Sequence, residues 1–224
     1  MAGMSFAPLS FLRGRQSIRT SNWHNNPALI LDTGNRTFGL EFTYRDGAFY
    51  NYQKYPAHDN KLHPDQTLYH PPAHYHLFSD EHFYIASGAG TWYLWDKKVH
   101  LSKGDSIVIP PRTWHWFEGD ASTQDPLVIH VKYDKGKAAM EERFFRNTLG
   151  YLADCHRDRS SPSVFQMMVF FLGMEMAPGI KMIRSERLNL VLNTLFMYVF
   201  GGLGLLMGYR FSYKEYYQPS KKTE

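Results

Sequence analysis

The chain has 224 residues, 43% of them hydrophobic and 21% charged, so it is long enough to fold as one sizeable domain with its own core. Its aromatic share of 16% excludes an intrinsically disordered chain and favours either an aromatic core or a pocket for flat, apolar ligands. The net charge of +4 is too small to indicate a nucleic-acid partner, and the single cysteine, Cys155, excludes an internal disulfide framework and fits a reducing compartment.

The first 35 residues are polar and rich in turn signals, and we expect an irregular N-terminal arm over residues 1–35. The arm contains one short apolar run, Ala28–Leu31, between two turn signals. Arg13 and Arg15 follow its first apolar stretch, which is the wrong order for a signal peptide. We therefore expect the domain that follows to face the cytosol.

Residues 36–134 predict a run of short strands. Apolar or aromatic segments alternate with turns that are rich in glycine and proline, at intervals of about eight to twelve residues. This pattern is typical of a sandwich or a barrel. The clearest predicted strands are His82–Ala86, Thr91–Trp95, Ser106–Ile109, Trp114–Phe117 and Leu127–Tyr133.

Residues 136–180 change to a helical pattern. In residues 136–157, apolar side chains recur at helical spacing among charged ones, which predicts an amphipathic helix packed outside the barrel. These apolar residues are Met140, Phe144, Phe145, Leu149 and Leu152. A second, denser apolar segment follows over residues 163–176 and ends at Pro178 and Gly179.

Residues 188–209 contain no charged side chain, and Arg187 and Arg210 flank them. As a helix they would span roughly 33 Å, close to the hydrocarbon thickness of a bilayer. We predict a single transmembrane helix here, with Tyr209 at the interface, the preceding domain in the cytosol and a polar tail over residues 210–224. The alternative is a buried C-terminal helix, which Asn189 and Asn193 favour.

A cluster of histidines and one glutamate predicts a metal site. His74 and His76 are two residues apart, so on a strand both imidazoles point to the same face. Glu81 follows after a polar turn, and His115 arrives on a later aromatic strand. Three imidazoles and one carboxylate suit a divalent cation, namely iron, manganese, nickel or zinc, with positions left open for water, dioxygen or substrate.

The spacing of these four residues resembles that of the cupin family. The first cupin motif is matched from His74 through Glu81 to Gly88, and the second from Gly104 through Pro110 to His115. The resemblance implies a mainly β fold, a single cupin barrel (a double-stranded β-helix or jelly roll) over residues 36–134. Its four ligands would point inward, and helices would follow it.

The sequence departs from the cupin motifs at three positions. Leu68 and Arg112 stand where the motifs have glycine, and Gly119 stands where the second motif has asparagine. None of these positions removes a metal ligand. Because Arg112 is not glycine, we expect that the turn before His115 does not need a positive φ.

Further site residues are predicted around the metal. Glu81 and His130 are candidate catalytic residues, although for His130 we favour the alternative of a buried imidazole with satisfied hydrogen bonds. His82 follows Glu81 directly and should point to the opposite face. Five aromatic residues on neighbouring strands are candidate walls of a substrate pocket: Tyr84, Tyr93, Trp95, Trp114 and Trp116.

The fold by itself leaves the reaction open. The overall layout is similar to small cupin oxidoreductases of fungal polyketide pathways, which implies tailoring of a small apolar or aromatic molecule in secondary metabolism. A non-redox isomerase, dehydratase or cyclase that uses the metal as a Lewis acid is the first alternative. A non-catalytic, membrane-anchored binder is the second. Cupin barrels often pair through edge strands, so a homodimer is compatible with the resemblance.

Overall fold

The computed structural model describes residues 7–20, 28–32, 37–45, 48–56, 70–133 and 135–219. Leu68 and both ends of the chain (residues 1–6 and 220–224) lie outside the described residues. Within the described part, the long central region forms strands and the C-terminal third forms helices. The strands are β1 (Ala28–Asp32), β2 (Thr37–Arg45), β3 (Ala48–Tyr55), β4 (His74–His76), β5 (Glu81–Ser87), β6 (Ala89–Leu94), β7 (Lys97–Ser102), β8 (Ser106–Ile109), β9 (His115–Gly119), β10 (Leu127–Tyr133) and β11 (Met176–Pro178).

These strands form two antiparallel sheets that pack face to face. The order is β1-β2-β3-β10-β5-β8 in the six-stranded sheet and β11-β4-β9-β6-β7 in the five-stranded sheet. Buried side chains from both sheets share one core, with Ile85 and Ile129 from the first and Trp92 and Phe117 from the second. The structure therefore confirms the prediction of a mainly β, two-sheet fold followed by helices.

Alternation along the strands decides which side chains reach the interior. On β5, Glu81, Phe83 and Ile85 are buried, while Tyr84 between them is exposed. β10 lies between β3 and β5 and repeats the pattern, so that Ile129 pairs with Ile85 on one side and with Gln53 on the other. Because successive side chains of a strand point to opposite faces, residues of odd number on β5 and β10 face the core.

Two strands lie where the sequence analysis expected none. β1 lies inside the predicted irregular arm, because its backbone pairs antiparallel with β2 from Ala28 opposite Glu41 to Asp32 opposite Thr37. β11 lies inside the predicted helical region and pairs with β4, with Met176 opposite His76. Both corrections have one cause: pairing with a partner strand supplies the backbone hydrogen bonds that define a short strand, from the next strand for β1 and from a strand far earlier in the chain for β11.

Three helices follow the barrel: α1 (Ala138–Arg157), α2 (Val164–Gly173) and α3 (Glu186–Leu206). The predicted amphipathic helix is confirmed as α1, and its buried face carries Phe144 and Leu149 into the interior. α2 packs along α3, both helices contact β11 at the edge of the five-stranded sheet, and together they cover that sheet. We call residues 138–206, which include α1, α2, β11 and α3, the helical layer.

One face of α3 is fixed to the helical layer by buried polar side chains. Asn189 donates to the carbonyl of Ile180 (2.8 Å) and to the Tyr75 hydroxyl (3.2 Å). Asn193 also donates to the Ile180 carbonyl (2.9 Å) and accepts from the Ile180 N–H (3.2 Å). Further along, Gly204 brings the helix so close to α2 that a Cβ there would lie 2.8 Å from the Phe165 carbonyl oxygen.

The other face of α3 is apolar and exposed. By length and composition α3 can cross a membrane, with a mean hydropathy of 1.6, yet 28% of its apolar window is buried in the protein. The helix ends at Leu206, and Tyr209, predicted at a membrane interface, is instead buried against Val169 and Met207. A transmembrane role for α3 therefore stays a prediction.

Candidate metal centre

The four predicted ligands converge at one end of the barrel. His74 and His76 project from the same face of β4, and His74 lies opposite His115, the first residue of β9. Glu81 is the first residue of β5, on the facing sheet. All four side chains are buried, and one donor atom from each lies within 4.8 Å of the other three. The predicted shared face of His74 and His76 is confirmed, and the cluster contains the four residues that the cupin resemblance implied as ligands.

The spacing of the donor atoms fits a single small cation. His74 Nε2 lies 3.3 Å from His76 Nε2, and Glu81 Oε2 lies 3.0 Å from His115 Nε2 and 3.4 Å from His76 Nε2. Adjacent ligands at bond lengths of about 2.0–2.2 Å are separated by about these distances.

Backbone carbonyls orient two of the imidazoles. His74 Nδ1 lies 2.9 Å from the Pro72 carbonyl oxygen, and His115 Nδ1 lies 3.0 Å from that of Thr113. A carbonyl only accepts hydrogen bonds, so these contacts favour a proton on each Nδ1, and in a neutral imidazole of that tautomer Nε2 is the atom that can bind a metal. Metal-binding histidines are held in this way, and the sequence pattern gave no sign of it.

The charge states also suit a cation. Burial and then the neighbouring His115 and His76 hold the pKa of His74 well below its usual range, so this imidazole is neutral at pH 7. Burial acts to raise the pKa of Glu81, but His76 and the hydrogen bond to His115 outweigh it and hold that pKa well below its usual range. A neutral His74 imidazole and an ionised Glu81 carboxylate are the protonation states that a metal requires of these two ligands.

One expectation about the turn before His115 is wrong. Arg112, which replaces a motif glycine, has φ of 65° and therefore does adopt the left-handed conformation that favours glycine. Its backbone N–H donates to the His76 carbonyl (2.6 Å) and its Nε to the Leu77 carbonyl (3.3 Å). These bonds to the β4 end hold the arginine in a conformation that its own side chain disfavours.

A cavity of about 90 Å³ opens onto three of the four ligands, His74, His76 and Glu81. The strands supply a mixed wall that includes Gln53, Tyr55 and Tyr133, whereas the helices supply a largely apolar one. The Tyr133 hydroxyl donates to Glu81 Oε1 (3.1 Å), so one oxygen of that carboxylate is held from the strand side. The apolar lining residues of the helical layer are Phe144, Phe145, Leu149, Leu152, Met167, Phe171, Met174 and Met176.

The five predicted pocket aromatics do not line this cavity, so that prediction is wrong. Tyr84 is 46% exposed on the outside of β5. Tyr93 and Trp116 stack on each other (4.5 Å between ring centroids) at positions of β6 and β9 that alternate with the inward ones. The sequence showed that apolar side chains alternate along each strand, but not which of the two alternating sets faces the core.

Trp95 and Trp114 instead contact the helical layer. The Lys181 ammonium lies 3.9 Å from the Trp114 ring centroid and donates to the Trp95 carbonyl (2.7 Å). The Trp114 indole N–H donates to the carbonyl of Gly179 (2.6 Å), and its backbone N–H donates to Glu186 (3.1 Å). These tryptophans therefore join the barrel to the segment before α3.

His130 is also misplaced as a catalytic residue. It lies on β10 between the inward residues Ile129 and Val131, and its ring packs on the outer face against Tyr52 and Tyr84. The prediction that it is a catalytic base beside the metal site is wrong, because the alternation along β10 turns its side chain to the outer face. His82 points outward as predicted and lies 2.8 Å from Asp80.

The cavity is also lined by polar residues that were not among the predicted site residues. Glu141 and Thr148 come from α1, and His70 comes from the segment before β4. Burial raises the pKa of Glu141 well above its usual range, and the charge of Glu81 adds to the effect. A signal was present, since Glu141 precedes Phe144 and Phe145 by three and four residues and so lies within the apolar stripe of the helix.

Comparison with known proteins agrees with this site. Residues 63–131 match the family described as "Cupin domain". The chain is 30% identical over 158 residues to a Hypocrea virens protein named "Probable oxidoreductase virH", covering 68% of this chain and 71% of the relative. It is 35% identical over 105 residues to "Oxidoreductase iacF" of Pestalotiopsis fici, covering 45% of this chain and 52% of that protein.

The chain belongs to the cupin family. A solved cupin-2 domain protein from Shewanella frigidimarina is also similar, with 15% identity, a TM-score of 0.32 and coverage of 50% of this chain and 83% of that one. The fungal relatives are named oxidoreductases, and their names support an enzyme for this chain too.

Proposed function

We propose that the protein is a metal-dependent oxidoreductase that modifies a small apolar, aromatic or polyketide-like molecule in secondary metabolism. The observation that carries this proposal is the opening of a buried donor set of three imidazoles and one carboxylate onto a largely apolar cavity. The names of the fungal relatives support redox chemistry among the reactions that such a site can host.

His74, His76, Glu81 and His115 would hold the metal. A divalent iron, manganese, nickel or zinc ion bound there supplies a Lewis acid, and a redox-active one also exchanges electrons with the substrate. The chain's own contribution is positioning. Tyr133 fixes the Glu81 carboxylate, and the apolar side chains of α1 and α2 exclude water from the substrate's side of the cavity.

The alternatives have less support. A non-redox isomerase, dehydratase or cyclase needs a proton-transfer group beside the metal. His130 lies on the outer face, but Tyr133 lines the cavity and could serve, so the names of the fungal relatives are what favour redox chemistry. A non-catalytic binder would fit a barrel filled by side chains, whereas here a cavity reaches the donor cluster.

The test is metal analysis of the purified full-length chain, followed by measurement of oxygen uptake with a panel of phenols and aromatic aldehydes. We expect about one equivalent of a divalent metal, and turnover that Glu81→Gln greatly reduces together with metal content. The control is His82→Gln, which changes the next side chain but on the outer face. A chain that turns over substrates equally well after chelation would overturn the proposal.

We also propose that α3 attaches the protein to a membrane and lies in the plane of one leaflet. Its exposed face carries Leu188, Val191, Leu195, Tyr198 and Val199, each at least half exposed. Apolar side chains on one face with basic residues nearby are typical of a helix in the membrane interface. A spanning helix would have to break the hydrogen bonds of Asn189 and Asn193 to the preceding segment, which disfavours that arrangement.

Vesicles of phosphatidylcholine with and without anionic lipid test this attachment. The full-length chain should co-sediment with vesicles, and Leu195→Ser with Val199→Ser should abolish co-sedimentation without loss of the fold. With α3 in the plane, the barrel and residues 210–224 stay on one side, so protease added outside should cleave the tail. A protected tail would support the spanning helix instead, and absence of any vesicle binding would contradict both arrangements.

A further inference from the structure

The helical wall of the cavity contains a buried carboxyl group with no assigned role. Glu141 on α1 is fully buried and lines the cavity. Among the described residues neither carboxyl oxygen has a partner in normal hydrogen-bond geometry, although a weaker hydrogen bond with the Tyr133 hydroxyl acts to lower the pKa of Glu141. A buried carboxyl group with so few hydrogen bonds costs stability. Its place in the cavity therefore needs an explanation other than folding.

A second buried acid on the same helix shows what a structural role looks like. Asp154 accepts hydrogen bonds from the backbone and hydroxyl of Thr20 (3.0 and 2.8 Å), from Arg157 (2.5 Å) and from the Tyr216 hydroxyl (2.6 Å). These bonds tie the N-terminal arm and the C-terminal segment to α1. Glu141, at the other end of the same helix, has none of them and faces the cavity instead.

The surroundings of Glu141 are those of a binding site. Phe144 and Phe145 follow it on the same wall, and Thr148, two helical turns further along, also has a buried hydroxyl without a partner. The same cavity is also lined by three of the metal ligands, His74, His76 and Glu81. A ligand between the two walls would meet aromatic faces, a carboxyl group and the metal together.

We propose that Glu141 binds a hydroxyl group of the ligand, so that the substrate is an aromatic or other apolar molecule that carries a hydroxyl. The identification of the ligand as substrate rests on the proposed function, but the binding itself does not. Glu141 is then a residue that sets specificity, because it favours a hydroxyl over a methyl group at that position.

A neutral hydroxyl suits this carboxyl group better than a cationic amine does. Burial raises the pKa of Glu141, and a protonated carboxyl group can both donate to and accept from a hydroxyl. The charge of Lys137 acts on Glu141 in the opposite direction, but Lys137 also lies 3.9 Å from Glu175. The rest of the helical wall is apolar, so an unpaired ligand charge would be costly there.

The experiment compares phenol with toluene, which have similar shape and differ in a hydroxyl against a methyl group. Binding of each to the full-length chain is measured by calorimetry, once after chelation and once with zinc, which is redox-inert. Met167, Met174 and Met176 line the cavity and are flexible enough to adjust to a single ring. We expect phenol to bind about tenfold more tightly than toluene, as one buried hydrogen bond allows.

Two variants assign that preference to Glu141. Glu141→Gln keeps a donor and an acceptor and should keep the phenol preference, whereas Glu141→Leu should bring the ratio close to one and leave toluene binding intact. Glu141→Leu should also raise the melting temperature, because it removes an unsatisfied buried group. Glu141→Met, which is unbranched and of similar length, replaces Leu if that variant does not fold. Glu175→Gln, which makes the same change at an exposed position, is the control.

Equal affinities for phenol and toluene in the unaltered chain would overturn the inference. A preference that survives in Glu141→Leu would also overturn it, since the hydroxyl would then bind the histidine cluster. Binding is compared without metal and with redox-inert zinc, so it does not depend on turnover. The phenol preference can therefore be measured even if the proposed redox function is wrong.

Discussion

The barrel and the helical layer both bury polar side chains, but they use them differently. In the barrel, the polar groups of β4, β5 and β9 face one another around a shared centre. In the helical layer, Asn189 and Asn193 bond to the backbone of the segment that precedes α3, and Asp154 bonds to the N-terminal arm. The first arrangement leaves lone pairs for a ligand, whereas the second satisfies the chain's own donors and acceptors. Buried polarity therefore indicates a site only where the partners are missing.

The largest effect, on metal content, is expected from removing ligands of the metal centre in the barrel. His74→Ala combined with His76→Ala deletes two of the four donors, and we expect complete loss of stoichiometric metal, measured by elemental analysis of the purified chain. His82→Ala removes an imidazole from the outer face and should leave metal content unchanged. Full retention of metal in the double variant would show that the centre is not a metal site.

Substitutions in the helical layer should lower the free energy of unfolding and leave the metal affinity unchanged. Asn193→Leu removes the hydrogen bonds to Ile180 and to the Asn189 carbonyl, so we expect the free energy of unfolding to fall by about 3 kcal/mol. Leu195→Asn, on the exposed face of the same helix, should change it by less than about 0.5 kcal/mol. Chemical denaturation measures both, and a similar loss in the two variants would contradict the assigned faces of α3.

Two glycines of α3 test the same difference between its packed face and its exposed face. A Cβ at Gly204 would lie 2.8 Å from the Phe165 carbonyl oxygen and from a methyl carbon of Val169, so Gly204→Ala should destabilise the protein by about 2 kcal/mol. Gly202 has no atom within 4 Å of such a Cβ, and Gly202→Ala should stabilise it by up to about 1 kcal/mol through helix propensity. Thermal unfolding of the pair provides the check, and shifts of the same sign would refute this packing of α2 on α3.

The smallest effect concerns His70, which lines the cavity between the two regions. Burial lowers the pKa of His70 to about 4, below its unfolded value, so the fold favours the neutral ring. Its contribution is fully present above about pH 6.5 and is lost as the pH falls from there towards 4. Between pH 7 and 5.5, the free energy of unfolding of the unaltered chain should fall by about 1 kcal/mol more than that of His70→Gln, with both proteins measured after chelation.

Denaturation at both pH values measures this difference. His100→Gln, at an exposed imidazole of β7, controls for the loss of a histidine as such. If His70→Gln and the unaltered chain showed the same pH dependence, His70 would not be buried in solution as it is in the structure.

The sequence by itself determined the elements and ligands whose signals are local. Two residues on a strand share a face, so His74 and His76 were predictable as a pair. The spacing to Glu81 and His115 placed the other two ligands, and helical periodicity located α1. These predictions needed only the geometry of one element at a time, or motif offsets that encode a known arrangement.

Only the tertiary structure decided which phase of each strand faces inward and which segments pair. Tyr84 and His130 alternate with core residues as regularly as true cavity residues do, and pairing within the six-stranded sheet turns them outward. β11 is a strand because it meets β4, and Glu141 lies at the site because α1 packs over the barrel mouth. Arg112 adopts a positive φ because the end of β4 binds its backbone. Each of these outcomes depends on contacts between residues far apart in the chain, which local periodicity does not encode.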